Sequence, residues 1–129
     1  MWKVIIADDE RLICRLIESL IDWEMLDMVI VGKAENGLEA LRMVKELQPH
    51  LLITDICMPG CDGLDLIRQA RELSPDIEIV IISGYAYFEY AKTAIAYGVG
   101  SYSPKPVNQA ELDKTLQKIA LRLEERQEN

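Results

Sequence analysis

Val4-Ile5-Ile6-Ala7-Asp8-Asp9-Glu10 is the stretch from which the fold of this chain can be read. Its four apolar residues do not alternate with polar ones, and the run is too short for a helix. That is the pattern of a strand buried on both faces, ended by acidic residues. The pattern recurs. Leu51-Leu52-Ile53-Thr54 runs into Asp55, Ile79-Val80-Ile81-Ile82 into Ser83-Gly84, and Gly100-Ser101-Tyr102-Ser103 leads to Lys105. With residues 29–34, these runs predict five strands. Between them lie helical spacings: Ile13, Leu16, Ile17 and Leu20 in 11–21, then Leu38, Leu41 and Val44 after Asn36-Gly37 and before Gln48-Pro49. Helices follow at 64–73, closed by Ser74-Pro75, at 87–97, and at 110–126 with Leu112, Leu116, Ile119 and Leu123 on one face. Alternating strands and helices imply an α/β, flavodoxin-like doubly wound parallel sheet, strand order 2-1-3-4-5. In that order Asp8 and Asp9 lie beside Asp55, and Ser83 and Lys105 close the same crevice.

Length and composition narrow the choice. A chain of 129 residues, half of them apolar, suits one domain. Residues 1–123 are read as that domain, and the polar segment 124–129 as a helix end or the start of a linker. No apolar run approaches the roughly 20 residues of a membrane span. Val4 to Ala7 passes straight into acids, unlike a signal peptide, so a cytoplasmic location is expected. Three cysteines (Cys14, Cys57, Cys61) without a Cys-x-x-Cys pair suit a reducing compartment. With a single histidine, His50, a zinc site is not expected, and His50 reads as structural. The net charge of −8 argues against direct nucleic-acid binding by this domain.

The strand-end cluster has its own chemistry. Three carboxylates facing one lysine leave negative charge uncompensated. A hard divalent cation, Mg²⁺ or Mn²⁺, would supply what is missing. One carboxylate could then attack a phosphoryl group to form an acyl phosphate. Lys105 and the Ser83 hydroxyl would hold its oxygens. Each motif alone has a plainer reading: Asp-Asp-Glu as a helix N-terminus, Asp55 as a loop residue, Lys105 as a surface charge. Their joint occurrence after separate strands favours the site.

Taken together, Ile6-Ala7-Asp8-Asp9-Glu10, Asp55-Ile56-Cys57-Met58-Pro59 with Gly63, Ile82-Ser83-Gly84-Tyr85 and Tyr102-Ser103-Pro104-Lys105-Pro106 carry a resemblance. Over essentially its whole length the chain resembles the receiver domain of bacterial two-component response regulators. The resemblance implies that Asp55 is the phosphoacceptor, supplied by a sensor histidine kinase. It implies that Asp8, Asp9, Asp55 and the Cys57 carbonyl hold Mg²⁺. Ser83 and Lys105 would contact the phosphoryl group, Lys105-Pro106 would be cis, and Tyr102 would be the aromatic switch. The domain would catalyse its own phosphorylation without being an enzyme on an independent substrate. Ile21-Asp22-Trp23, with Ala34-Glu35-Asn36-Gly37 and Ser83-Gly84-Tyr85 before Phe88-Glu89-Tyr90, resembles receivers that precede an AraC-type helix-turn-helix output domain.

Two departures from the family pattern stand out. Pro104 removes a backbone donor beside Lys105, which could alter the lysine's approach or strand 5. Tyr85, two residues after Ser83, could shield an acyl phosphate and slow its hydrolysis. All five tyrosines and the only phenylalanine lie between residues 85 and 102. Tyr87, Tyr90 and Tyr97 recur at helical spacing, and one such stripe would face outward. In the family the surface of helix 87–97, strand 5 and the last helix commonly mediates homodimerisation. Competing readings are a pseudo-receiver that binds partners without phosphorylation, an aspartate-nucleophile phosphatase, and a flavodoxin-like nucleotide binder. Cys57 stands where the phosphatase wants a second acid, and Asp8-Asp9-Glu10 would repel a nucleotide phosphate.

Overall fold

A computed structural model describes residues 1–56, 58, 63–84 and 101–128 of the chain. Five strands form one parallel sheet: β1 (Trp2–Ala7), β2 (Met28–Ala34), β3 (Leu51–Thr54), β4 (Glu78–Ser83) and β5 (Ser101–Pro104). Their order is β2-β1-β3-β4-β5, as the alternation of runs predicts. Helices α1 (Arg11–Leu20), α2 (Gly37–Leu47), α3 (Gly63–Leu73) and a C-terminal helix (Gln109–Glu128) are described with it. The helix expected at 87–97 lies outside the described residues.

Because successive side chains on a strand point to opposite faces, the unbroken apolar runs feed two cores. Ile5, Leu52, Ile79 and Ile81 pack with Ala40 and Val44 of α2 and with Leu66, Ile67 and Ala70 of α3. Val4, Ile6, Ile53, Val80 and Ile82 pack against Cys14 and Ile17 of α1 and Leu112, Leu116, Ile119 and Leu123 of the C-terminal helix. The C-terminal stripe read from spacing is therefore the buried one. Two other stripes are rotated from expectation. Leu16 and Leu38 are 39% and 64% exposed, while Cys14 and Ala40 take the inward positions. At about 100° per residue, Cys14 and Ile17 share one face of α1, which the C-cap Ile21 continues, and Leu16 points well away from it.

Local chemistry sets the helix ends. Asn36 Oδ1 accepts the Glu39 N–H at 2.8 Å, and Asn108 Oδ1 accepts that of Glu111 at 3.0 Å, both N-caps. Gln48 ends α2 in the left-handed region (φ 48°), its N–H donating to Val44 O ahead of Pro49. At the amino edge of the sheet, buried Glu78 accepts from Arg122 at 3.0 and 3.2 Å and pairs with Arg126. Two arginines one turn apart thus clamp the C-terminal helix to β4. His50, at the same edge, accepts the Lys3 N–H on Nδ1 at 3.0 Å and meets the Trp2 ring edge-on at 5.1 Å. It lies at the edge opposite Asp8 and Asp55, as expected of a structural histidine.

Candidate functional site

Parallel pairing brings the strand ends to one edge. Ala7 is in register with Thr54, and Ser83 with Pro104. The ladder extends one residue past each strand: Asp8 N–H donates to Ala34 O (3.0 Å), Asp55 N–H to Ala7 O (3.0 Å) and Lys105 N–H to Ser83 O (2.9 Å). Each site residue therefore has its backbone held by the neighbouring strand while its side chain turns into the crevice. Thr54 Oγ1 donates to Asp55 O at 2.8 Å within the core.

The side chains meet around the lysine. Lys105 Nζ lies 2.9 Å from Asp55 Oδ2, 3.1 Å from Asp8 Oδ2 and 3.4 Å from Glu10 Oε1. Asp8 and Asp55 are both buried. Burial pushes the Asp8 carboxyl up to about 6, against the Glu10 amide and the Lys105 ammonium, and the Asp55 charge adds to the rise. Burial by itself would lower Lys105, but hydrogen bonds to Asp55 and Asp8, and their charges, carry its pKa above the ordinary value. Asp8, Asp9 and Glu10 can each bring a carboxylate oxygen within 4.8 Å of the others. The all-oxygen donor set of this cluster suits a hard divalent cation.

The remaining predicted residues divide into two groups. Ser83 is fully buried, and its hydroxyl has no hydrogen-bond partner among the described residues. Tyr102 packs against the α2–α3 core and donates its hydroxyl to Ser83 O at 3.3 Å, so the two residues are joined through one carbonyl. Lys105-Pro106 is cis. Cys57, Tyr85, Tyr87, Tyr90 and Tyr97 lie outside the described residues. Pro104 neither displaces the lysine nor breaks the ladder, since Lys105 still donates to Ser83 O and reaches Asp55. β5 is an edge strand, where a proline whose nitrogen faces away from its neighbour removes no sheet bond.

Glu10 is the contact that sequence reading missed. It stands at the N-cap of α1, yet its side chain makes no capping bond and turns to Lys105 instead. The capping role falls partly to Asp8, whose Oδ1 accepts the Glu10 N–H at 2.9 Å. A third acid after Asp8-Asp9 was the available signal.

Comparison with known proteins agrees with this geometry. The family model described as response regulator receiver domain matches residues 4–117. The uncharacterized transcriptional regulatory protein YesN of Bacillus subtilis is 43% identical over 123 residues, covering 95% of this chain and 33% of YesN. The REC domain of AraT, a response regulator from Geobacillus stearothermophilus, superposes with a TM-score of 0.95 at 40% identity, covering 98% of both chains. A two-component transcriptional regulator AraC from Clostridium phytofermentans gives a TM-score of 0.90 at 28% identity and covers 100% of each chain. The chain spans half or less of the length of the curated relatives it matches. No helix among the described residues is long and apolar enough to cross a membrane.

Proposed function

The chain belongs to the response regulator receiver domain family, and we propose that it works as a phosphorylation-controlled switch with Asp55 as acceptor. The observation that carries this reading is the Lys105 ammonium bridging Asp8 and Asp55, with its strand neighbour Ser83 buried and its hydroxyl without a partner among the described residues. An Asp55 carboxylate oxygen attacks the phosphorus of a phosphohistidine on a sensor kinase. A P–O bond forms as the P–N bond breaks, and the imidazole leaves with its electron pair. Lys105, already 2.9 Å from Asp55, then pairs with a phosphoryl oxygen, and the Ser83 hydroxyl donates to another.

Asp8, Asp9, Asp55 and the Cys57 carbonyl would hold Mg²⁺, which when bound neutralises charge on the carboxylates and the transferring group. Movement of Ser83 would reach Tyr102 through the carbonyl they share, and so the surface of β5 and the C-terminal helix, to which the helix expected from the sequence at 87–97 would belong. Phosphorylation acts by shifting population toward an active arrangement. In a longer cytoplasmic protein, that surface would control dimerisation through Tyr87, Tyr90 and Tyr97. It would also control an AraC-type helix-turn-helix output domain, since the regulators it resembles include AraC-type ones.

Acetyl phosphate with Mg²⁺ should add one phosphoryl group by intact mass, and Asp55→Asn should abolish it. Absence of an adduct on folded protein would rule out the switch, and rapid multiple turnover would indicate a phosphatase instead.

A further inference from the structure

On the sheet face carrying α1 and the C-terminal helix, away from the acidic crevice, two adjoining cavities of about 340 and 280 Å³ share Met25, Leu26 and Gln117. Together they form a groove between segment 22–27 and the C-terminal helix. Its floor is apolar. Met25 is 84% exposed and Leu121 59%, with half-buried Leu26 between them and buried Ala120 alongside. The groove is lined by Asp22, Asp27, Asp113 and Glu124 and by no lysine or arginine among the described residues.

The groove is preformed. Segment 22–27 folds into a turn in which Leu26 N–H and Met28 N–H both donate to Trp23 O, and Asp27 N–H to Glu24 O. Asp22 Oδ1 accepts the Met25 N–H at 3.3 Å. Asp27 holds φ 57°, a left-handed conformation that aspartate adopts more readily than most residues and that turns the chain into β2. Gln109 Nε2 donates to Leu20 O at 2.7 Å and ties the C-terminal helix to α1 at one end of the groove. A methionine held out in water on an ordered turn, facing an exposed leucine, has no role in the sheet core.

We infer that this groove docks a basic amphipathic helix of a protein partner. Its apolar stripe would cover Met25, Leu26 and Leu121, and its lysines or arginines would meet the four carboxylates. Charge decides among occupants. Nucleic acid and anionic lipid are repelled by the acidic rim, and a second copy would bring the same carboxylates against themselves. Methionine's flexible thioether suits a surface that must accept a helix of unspecified sequence.

The test uses a synthetic helix of about 14 residues, leucine at i, i+3, i+4 and i+7 spacing and lysine elsewhere, beside the same peptide with glutamate for lysine. Titrated into the chain, the lysine peptide should shift the Met25 methyl resonance and leave Met43 and Met58, in the core on the other sheet face, unmoved. Asp22→Asn with Asp113→Asn, which keeps both side-chain acceptors, should raise Kd at least about tenfold, or about 1.4 kcal/mol. Met25→Gln should weaken binding similarly. Asp65→Asn with Glu72→Gln on α3 removes the same two charges elsewhere and should change Kd less than about twofold. A stationary Met25 methyl, equal losses in the two double variants, or equal binding of the glutamate peptide would each overturn the inference.

Discussion

Asp8 and His50 show how a titratable side chain acquires its role from the edge of the sheet that holds it. Asp8 stands at the carboxyl edge, buried beside Asp55, and burial raises its pKa, with a smaller contribution from the Asp55 charge. His50 stands at the amino edge, where burial first, and then the charges of Lys3 and the N-terminus, hold its pKa below 6.5. Its Nδ1 accepts a backbone N–H, which requires the neutral ring. Below pH 6.5 the unfolded chain therefore binds this proton more readily than the folded one. The stability His50 contributes is present above 6.5 and is lost as pH falls from there through the folded pKa. Asparagine places an acceptor near the same point without titrating. His50→Asn should thus keep stability at pH 7.5 and flatten its decline between pH 7 and 5, as followed by urea unfolding.

Among the elements, β5 is the one whose sequence least resembles its neighbours in this sheet. Ser101-Tyr102-Ser103-Pro104 has no apolar run, and it is recognisable as a strand only from the alternation before it and the lysine after it. Pro104 is tolerated because β5 closes one side of the sheet and has a single strand neighbour. Pro104→Leu should therefore change stability by less than about 1 kcal/mol and leave the rate of Asp55 phosphorylation by acetyl phosphate within about twofold. Chemical denaturation and phosphorylation kinetics check the two halves of that statement, and a large rate change would mean that the proline shapes the approach of Lys105. In α1 the lesson runs the other way. Its apolar residues are legible, but which of them face inward depends on where the helix rests on the sheet. Cys14 is buried in preference to Leu16 for that reason.

At the scale of the whole molecule, the crevice couples ligand binding to stability. Four carboxylates (Asp8, Asp9, Glu10 and Asp55) and one ammonium converge there, so a divalent cation binding the folded state alone should stabilise it by RT ln(1 + [L]/Kd). That amounts to about 2.7 kcal/mol at a hundredfold excess over Kd. Mg²⁺ should raise Tm by several degrees, EDTA should reverse the rise, and Asp9→Asn should remove most of it. Asp9 is exposed, so its loss should leave the metal-free Tm nearly unchanged. An unaltered Mg²⁺ response in Asp9→Asn would remove Asp9 from the ligand set.

By itself the sequence determined the parallel α/β architecture, its strand order and the identity of the residues at the carboxyl edge. The physical reason is that unbroken apolar runs must be buried on both faces, and right-handed crossovers then leave few topologies. Only the tertiary structure decided how those residues share one lysine. It also decided that Glu10 turns from capping α1 to join them, and that Ser83 is buried with no partner among the described residues. Glu78 opens β4 just before its apolar run, and only the packing of the C-terminal helix brings two arginines to it. Likewise, the groove beside Met25 joins segments more than eighty residues apart in the chain. Such features depend on side-chain distances between remote segments, which periodicity along one segment does not encode.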